Sequence, residues 1–402
     1  MIIFILGRQP EIGCAELAAV FSQKPRLIAN HCAALDIDKK TALQSAARLG
    51  GTVKIAEVID TIDQNSSAIT TLINGLFSNI EGKITLGVSD YSQGATRRTA
   101  ASLAKQASAI LKPSHSVRLV PITDATLSSA TVEHNGLYHD NLKKCELVFI
   151  AVRNKWVVAR TIFVQNIESY TLRDRKRPCR DARNGMLPPK LAQIIINLAL
   201  GATNPKCQNN TSYLLDPFCG TGVILQEALL MGFNNCYGTD LNPQMSEYTI
   251  KNIAWINELM SKRHNQLDLA KCRFKVADAT EFKWCKQSDT TNLSLATVAT
   301  ETYLGRPYTT EPNLNELKDN IKNCDIILGK FIHNLAPQLT VGAGICLAVP
   351  AWFVHDKIHH LSCFNEQDLS SLHLKDVHPN HLIYHRDEQI VARELIVLQK
   401  LA

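Results

Sequence analysis

The heptapeptide Asp216-Pro-Phe-Cys-Gly-Thr-Gly222 constrains this 402-residue chain more than any other feature. An apolar stretch, residues 213–215, precedes it, and Leu225, Ala228 and Leu229 follow at helical spacing before Gly232. Strand, glycine turn and helix in that order form a ligand loop: the glycines let the chain turn tightly and a ligand approach the backbone, while the helix start offers unpaired amides. Two common alternatives fail on spacing. No Lys-Ser/Thr follows the second glycine, so the loop is not a phosphate-cradling P-loop, and the G-x-G-x-x-G spacing of dinucleotide turns is missing.

The surroundings repeat the pattern. Pro188 and Pro189 mark a helix start, with Leu191, Ile194, Ile195 and Leu198 on one face. Thereafter strands are predicted at residues 213–215, 236–239, 273–276, 295–298 and 344–349, alternating with helices as in a parallel sheet covered on both sides. Residues 381–385 and 392–398, separated by residues 386–389, are expected to form a hairpin that adds an antiparallel strand. The second strand ends in Gly238-Thr-Asp-Leu-Asn-Pro243, with Asn242 as N-cap and Pro243 as first helical residue, so Asp240 projects at the carboxyl edge where open parallel sheets bind ligands. The third ends in Val276-Ala-Asp-Ala-Thr280, which puts Asp278 beside the same crevice. The fourth ends in Thr300-Glu-Thr-Tyr-Leu-Gly305, where Glu301 can accept a proton or hydrogen bond and Tyr303 can stack on a ring.

The first 165 residues read as small α+β modules. Residues 2–6 are a predicted strand, 11–21 a helix, and 96–111 a helix with Leu103, Ala107 and Ile110 inward and Arg97, Arg98 and Lys105 on a solvated face. A strand pair is expected at residues 116–121 and 147–152. Then comes Arg173-Asp-Arg-Lys-Arg-Pro-Cys-Arg-Asp-Ala-Arg183, six cations against two aspartates, which reads as a basic linker and a phosphate clamp. A net charge of +6 favours an anionic partner only mildly. The twelve cysteines lack any C-x-x-C pair, which argues for reduced thiols and against a disulfide framework or structural zinc. His355 and His359 have i,i+4 spacing but no positioned carboxylate and read as surface, so no metal is expected. No apolar run reaches the roughly twenty residues of a membrane span, and the opening residues lack the basic head of a signal peptide. A soluble cytoplasmic protein is the expectation.

Over residues 187–398 the three strand ends closely resemble those of class I S-adenosylmethionine methyltransferases. The resemblance implies a Rossmann-like α/β domain with a mostly parallel seven-stranded sheet and S-adenosylmethionine as cofactor. It implies Asp216, Pro217, Phe218, Cys219, Gly220, Thr221 and Gly222 around the methionine moiety, Asp240 with Leu241 at the ribose, and Asp278 with Ala279 at the adenine. Amino-methylating members end the fourth strand in Asp/Asn-Pro-Pro-Tyr. Here Glu301, Thr302 and Tyr303 stand as the catalytic set, but both prolines are missing and the tyrosine is one residue early.

The segment from Gln165 through Arg177-Pro178 and then Gly185-Met-Leu-Pro-Pro-Lys-Leu-Ala192 resembles the join between THUMP and catalytic domains in transfer RNA guanine-N2 methyltransferases. Residues 1–21 and Ser129-Ala-Thr-Val-Glu-His-Asn-Gly-Leu137 are similar to that family's ferredoxin-like and THUMP modules. The implied domains are 1–70 ferredoxin-like, 71–166 THUMP, 167–186 basic linker and 187–402 methyltransferase. The implied partner is tRNA, with a small activating subunit as a second candidate. Arg97, Arg98, Lys105, Arg173, Arg175, Lys176, Arg177 and Arg180 are the candidate RNA contacts. Two rivals are a DNA amino-methyltransferase, which leaves the first half without a purpose, and a non-catalytic RNA-binding protein that keeps the fold as scaffold. The complete set of Asp216, Asp240 and Asp278 argues against the scaffold.

Overall fold

Eight strands between Ile2 and Val164 join in one mixed sheet, and nine strands between Ser212 and Lys400 join in another. The computed structural model describes residues 1–139, 141–181, 186–207, 212–262, 266–285, 294–378, 380–386 and 388–402. Arg183 and Gly185 of the basic segment and Asp387 of the expected hairpin tip lie outside the described residues. Two units result: Met1–Ala18 with Gln23–Tyr170, and Ala19–Ser22 with Thr171–Ala402.

The first unit contains β1 (Ile2–Leu6), α1 (Pro10–Phe21), β2 (Arg26–Ala29), β3 (Cys32–Leu35), α2 (Lys39–Ala46), β4 (Thr52–Asp63), α3 (Ser66–Phe77), β5 (Lys83–Asp90), α4 (Arg97–Leu111), β6 (Ser116–Leu119), α5 (Ser129–Asn135), β7 (Lys144–Val152) and β8 (Lys155–Val164). Its strand order is β2-β3-β1-β4-β8-β7-β5-β6. The boundary expected near residue 70 falls inside this sheet, because β4 and β8 pair antiparallel along their whole length. Nor do the strands at 116–121 and 147–152 pair with each other. The almost wholly buried β5 lies between them and runs parallel to both β6 and β7. Alternation identifies strands but says nothing about which strand is the neighbour. As expected, α4 turns Leu103 and Ala107 into the core and leaves Arg97, Arg98 and Lys105 exposed. One buried ion pair crosses this unit: Lys54 Nζ lies 2.7 Å from Glu146 Oε1, and Thr161 Oγ1 donates to Glu146 Oε2 at 2.6 Å.

The second unit continues with α6 (Ile167–Arg175), whose first turn belongs to the first unit, α7 (Pro189–Ala202), β9 (Ser212–Asp216), α8 (Val223–Leu230), β10 (Cys236–Asp240), α9 (Pro243–Ser261), β11 (Arg273–Val276), β12 (Ser294–Glu301), α10 (Leu314–Leu335), β13 (Gly344–Val354), β14 (Lys357–His359), α11 (Glu366–Ser371), β15 (Leu374–Asp376), β16 (Leu382–Tyr384) and β17 (Val391–Lys400). The order β11-β10-β9-β12-β13-β17-β15 gives the expected seven-strand path, with β14 and β16 added beside it. Strands β9 to β13 are parallel, whereas β17 runs antiparallel to β13 and to β16. This is a Rossmann-like α/β fold. Helix α10 buries Leu328, Phe331 and Leu335 in one core with Leu215, Val298 and Ile345. His355 and His359 do not share a helix face: His355 and Asp356 adopt positive φ in the tight β13–β14 turn. Among the described residues no helix is long and apolar enough to cross a membrane, and all twelve cysteines are free.

Candidate functional site

Three parallel strands of the second unit end in a carboxylate: β9 in Asp216, β10 in Asp240 and β12 in Glu301, while Asp278 stands just beyond β11. Parallel pairing brings all four to one edge of the sheet. The strand order reverses between β9 and β12, the place where open α/β sheets leave a crevice for ligands. A cavity of about 800 Å³ lies there, lined among others by Asp216, Gly220, Asp240, Asp278, Glu301 and Tyr303.

The loop after β9 is built around its glycines. Gly220 and Gly222 adopt φ of +49° and +78°, and a Cβ on Gly222 would stand 2.8 Å from Thr249 Cγ2. At Gly220 a Cβ would meet nothing within 4 Å, so the turn leaves open space beside its backbone. Gly220 N donates to Asp240 Oδ2 and Asn242 N to Asp240 Oδ1, each at 2.9 Å, which fixes that carboxylate against the loop. Asp216 is buried and accepts a 2.6 Å hydrogen bond from Thr300 Oγ1. Burial pushes its carboxyl up to about 8, against the lowering effect of the Thr300 and Phe218 hydrogen bonds and with help from the charges of Asp240 and Glu301. Asp278 Oδ1 is held by Thr280, through its amide at 2.8 Å and its hydroxyl at 2.7 Å.

The other residues expected around the cofactor also line the cavity. Phe218 packs edge-on against Phe331, with ring centres 4.9 Å apart. Cys219 is buried with Sγ near Thr249, the carbonyl of Thr221 accepts from Asn252, and Pro217 carries a carbonyl that accepts from Thr239. Ala279 lies buried beneath Asp278, whereas Leu241 is 69% exposed and forms an apolar lip beside Asp240.

The three expected catalytic residues divide in their placement. Glu301 Oε1 accepts a 2.7 Å ion-paired hydrogen bond from Arg393 Nε, leaving Oε2 without a partner among the described residues. Tyr303 is 41% exposed at the cavity rim. Thr302 does not present its hydroxyl to the cavity chemistry. It is buried, and both its amide and Oγ1 donate to Ala348 O on the neighbouring strand. Sequence reasoning missed Thr300 and Arg393, and also Pro307 and Tyr308, which line the cavity beyond the positive-φ Gly305. A proline-tyrosine dipeptide was visible just downstream of the fourth strand and could have signalled the last two. No local signal pointed to Arg393.

The basic segment is ordered as far as it is described, up to Asp181. Residues Ile167–Arg175 are helical, and Arg173 Nε binds the buried Glu227 Oε1 of α8 at 2.6 Å. Asn252 then joins Cys179 O to Thr221 O through one amide group, each contact at 2.9 Å, so the segment is fastened to the glycine loop. Arg177 is 3% exposed. Two expected RNA contacts, Arg173 and Arg177, are therefore turned inward: Arg173 pairs with Glu227, and Arg177 is buried near the same carboxylate without a hydrogen bond from Nε or Nη2 among the described residues. Arg175, Lys176 and Arg180 are exposed.

Residues 176–318 match the family described as UPF0020, RMKL-like methyltransferase domain. A 132-residue stretch is 32% identical to the tRNA (guanine(10)-N2)-dimethyltransferase of Methanothermobacter thermautotrophicus, covering 32% of this chain and 36% of that relative. The chain thus matches about a third of that curated relative's length. Among solved structures, TrmN from Thermus thermophilus superposes with a TM-score of 0.52 at 14% identity, covering 100% of this chain and 99% of that one. A putative methyltransferase solved with SAH covers 100% and 98% at 11% identity and a TM-score of 0.48.

Proposed function

We propose that this chain is an S-adenosylmethionine-dependent methyltransferase acting on the exocyclic N2 amine of a guanine in tRNA. The observation that carries the reading is the row of four strand-end carboxylates around one cavity, with Glu301 at its rim held by Arg393. Support for the substrate comes from the name of the partial relative, a tRNA guanine-N2 enzyme.

The crevice suits the cofactor chemically. Asp216, buried without a cation beside it among the described residues, is the carboxylate a positively charged methionine group would stabilise. Asp240 is preorganised by two backbone amides and keeps lone pairs for a vicinal diol. Asp278 Oδ2 can accept from an exocyclic amine of the adenine. When bound, S-adenosylmethionine supplies an already activated sulfonium methyl group.

The chain's own residues then have to align the acceptor and keep water out. A guanine amine is a weak nucleophile because its lone pair is drawn into the ring. Glu301 Oε2 accepts one of its N–H bonds and takes the proton that leaves as the new N–C bond forms. Arg393 is a positioning residue: its Nε holds Glu301 Oε1 at 2.7 Å and so aims Oε2 at the acceptor. Tyr303 and Tyr308 offer rings on which an extruded base stacks. Thr302 locks the strand end against Ala348 and so sets the direction of its neighbours.

In this reading residues 1–166 are the ferredoxin-like and THUMP modules, and Arg97, Arg98 and Lys105 contact RNA phosphates together with Arg175, Lys176 and Arg180. The two arginines in the first turn of α4 sit where the helix dipole disfavours cations, which fits a role toward an anionic partner. Twelve free thiols and a tRNA substrate suit the cytoplasm.

The test is methyl transfer from labelled S-adenosylmethionine to unmodified bulk tRNA, followed by nucleoside analysis. Labelled N2-methylguanosine is expected. Label in another nucleoside overturns the acceptor assignment, and label in DNA but not tRNA overturns the substrate class. Binding of both cofactor and tRNA without transfer, with or without added cell extract to supply a small subunit, would favour a scaffold.

A further inference from the structure

Successive side chains of a strand leave on opposite faces, and β17 uses this at Arg393 and Glu394. Arg393 reaches Glu301, while Glu394, its side chain only 4% exposed, meets two imidazoles. His360 Nδ1 lies 2.7 Å from Glu394 Oε2, His381 Nδ1 contacts Oε1, and the two rings stand 4.3 Å apart, tilted by 31°. One atom from each of the three residues falls within 4.8 Å of the others. They come from three segments: His360 just after β14, His381 just before β16, and Glu394 within β17.

We propose that His360, His381 and Glu394 form a binding site for a divalent transition metal, with zinc(II) as its type. Two imidazole nitrogens and a carboxylate oxygen make a donor set that zinc accepts, and a water can complete the coordination. Donor atoms that share a tetrahedral zinc at about 2.0–2.1 Å stand roughly 3.3 Å apart, so the ion takes the place of the imidazole–carboxylate hydrogen bonds and opens the 2.7 Å His360–Glu394 contact. His381 is 61% and His360 28% exposed at the side chain, so an ion has a path in, while the carboxylate at the base is buried. Asp376 lies near enough to Glu394 and His381 to interact electrostatically with both, adding negative potential around the site. The ion's role is a brace: it ties the segments beside β14 and β16 to the strand that delivers Arg393. The proposal does not depend on the reaction assigned above.

The test uses the full-length protein, freed of metal with a chelator and titrated with zinc sulfate by calorimetry, then with cobalt(II) followed by visible absorption. One zinc per chain is expected, with a raised melting temperature and a cobalt spectrum saturating at the same stoichiometry. Loss of a ligand exceeds loss of an outer partner, so His381→Ala and Glu394→Gln should each weaken binding by at least about 10- to 100-fold. His381 is exposed, so its variant is expected to melt near the metal-free wild type. His355→Ala, on a separate turn, should bind as the wild type does. Absent stoichiometric binding, or equal binding by wild type and His381→Ala, overturns the site and assigns any uptake to scattered surface histidines.

Discussion

Arg393 Nε stands 2.7 Å from Glu301 Oε1 although the two residues are 92 positions apart in sequence. The pair joins the end of β12 to the antiparallel β17 across β13, and it fixes an acidic side chain of the cavity lining whose second oxygen is left for a substrate. In the proposed reaction, Glu301→Gln keeps the shape but removes the proton acceptor. Its kcat should fall by about 100- to 10,000-fold with a small change in KM. Arg393→Ala should lower kcat less and leave tRNA binding near wild type. Single-turnover methyl transfer with tRNA titrations checks both; an unaffected kcat in Glu301→Gln removes that residue from the mechanism.

Tyr303 should act through its ring and not its hydroxyl. Base stacking on an aromatic side chain contributes about 1–3 kcal/mol. Tyr303→Ala should therefore reduce kcat/KM for tRNA by roughly 5- to 150-fold, while Tyr303→Phe stays close to wild type. Steady-state kinetics of the two variants decide it, and equal losses in both would point to the hydroxyl.

Asp216 makes a pH signature. Its carboxyl is raised to about 8 in the folded chain by burial, whereas in the unfolded chain it titrates near its ordinary value of 3.8. Below that ordinary value both states are protonated and the group contributes nothing. Between it and about 8 the unfolded chain ionises first, so stability is lost as pH rises, by up to about 1.4 kcal/mol per pH unit. Asp216→Asn can still accept the Thr300 hydrogen bond and lacks this penalty. Its melting temperature relative to wild type should climb from pH 5 to pH 8 and then level off, while its affinity for S-adenosylmethionine drops. Differential scanning fluorimetry across that range, with and without cofactor, is the measurement; a flat difference would show that Asp216 is ionised throughout.

In the first unit, Lys54 and Glu146 are both buried and bonded to each other. Removing one partner strands the other, so Lys54→Met should destabilise this unit by about 3–5 kcal/mol, and Lys54→Met with Glu146→Leu should recover much of that loss. Hydrogen exchange of peptides from β4, β7 and β8 reports the change where it arises, leaving peptides around β9 and β10 as an internal reference.

The sequence alone was sufficient for whatever local rules govern. The glycine turn after β9, the N-cap of Asn242 before Pro243, the acid at each strand end and the antiparallel C-terminal hairpin are properties of short segments, because backbone sterics and capping act over a few residues. Tertiary structure decided every relationship between distant segments. It put β5 between β6 and β7, ran one sheet through the expected boundary near residue 70, turned Arg173 onto Glu227, and gave Glu301 its partner in Arg393. None of these leaves a mark in local pattern. A strand's periodicity records that one face is buried, and a charge records that it wants a counter-charge, but which neighbour satisfies either is settled only when the whole chain packs.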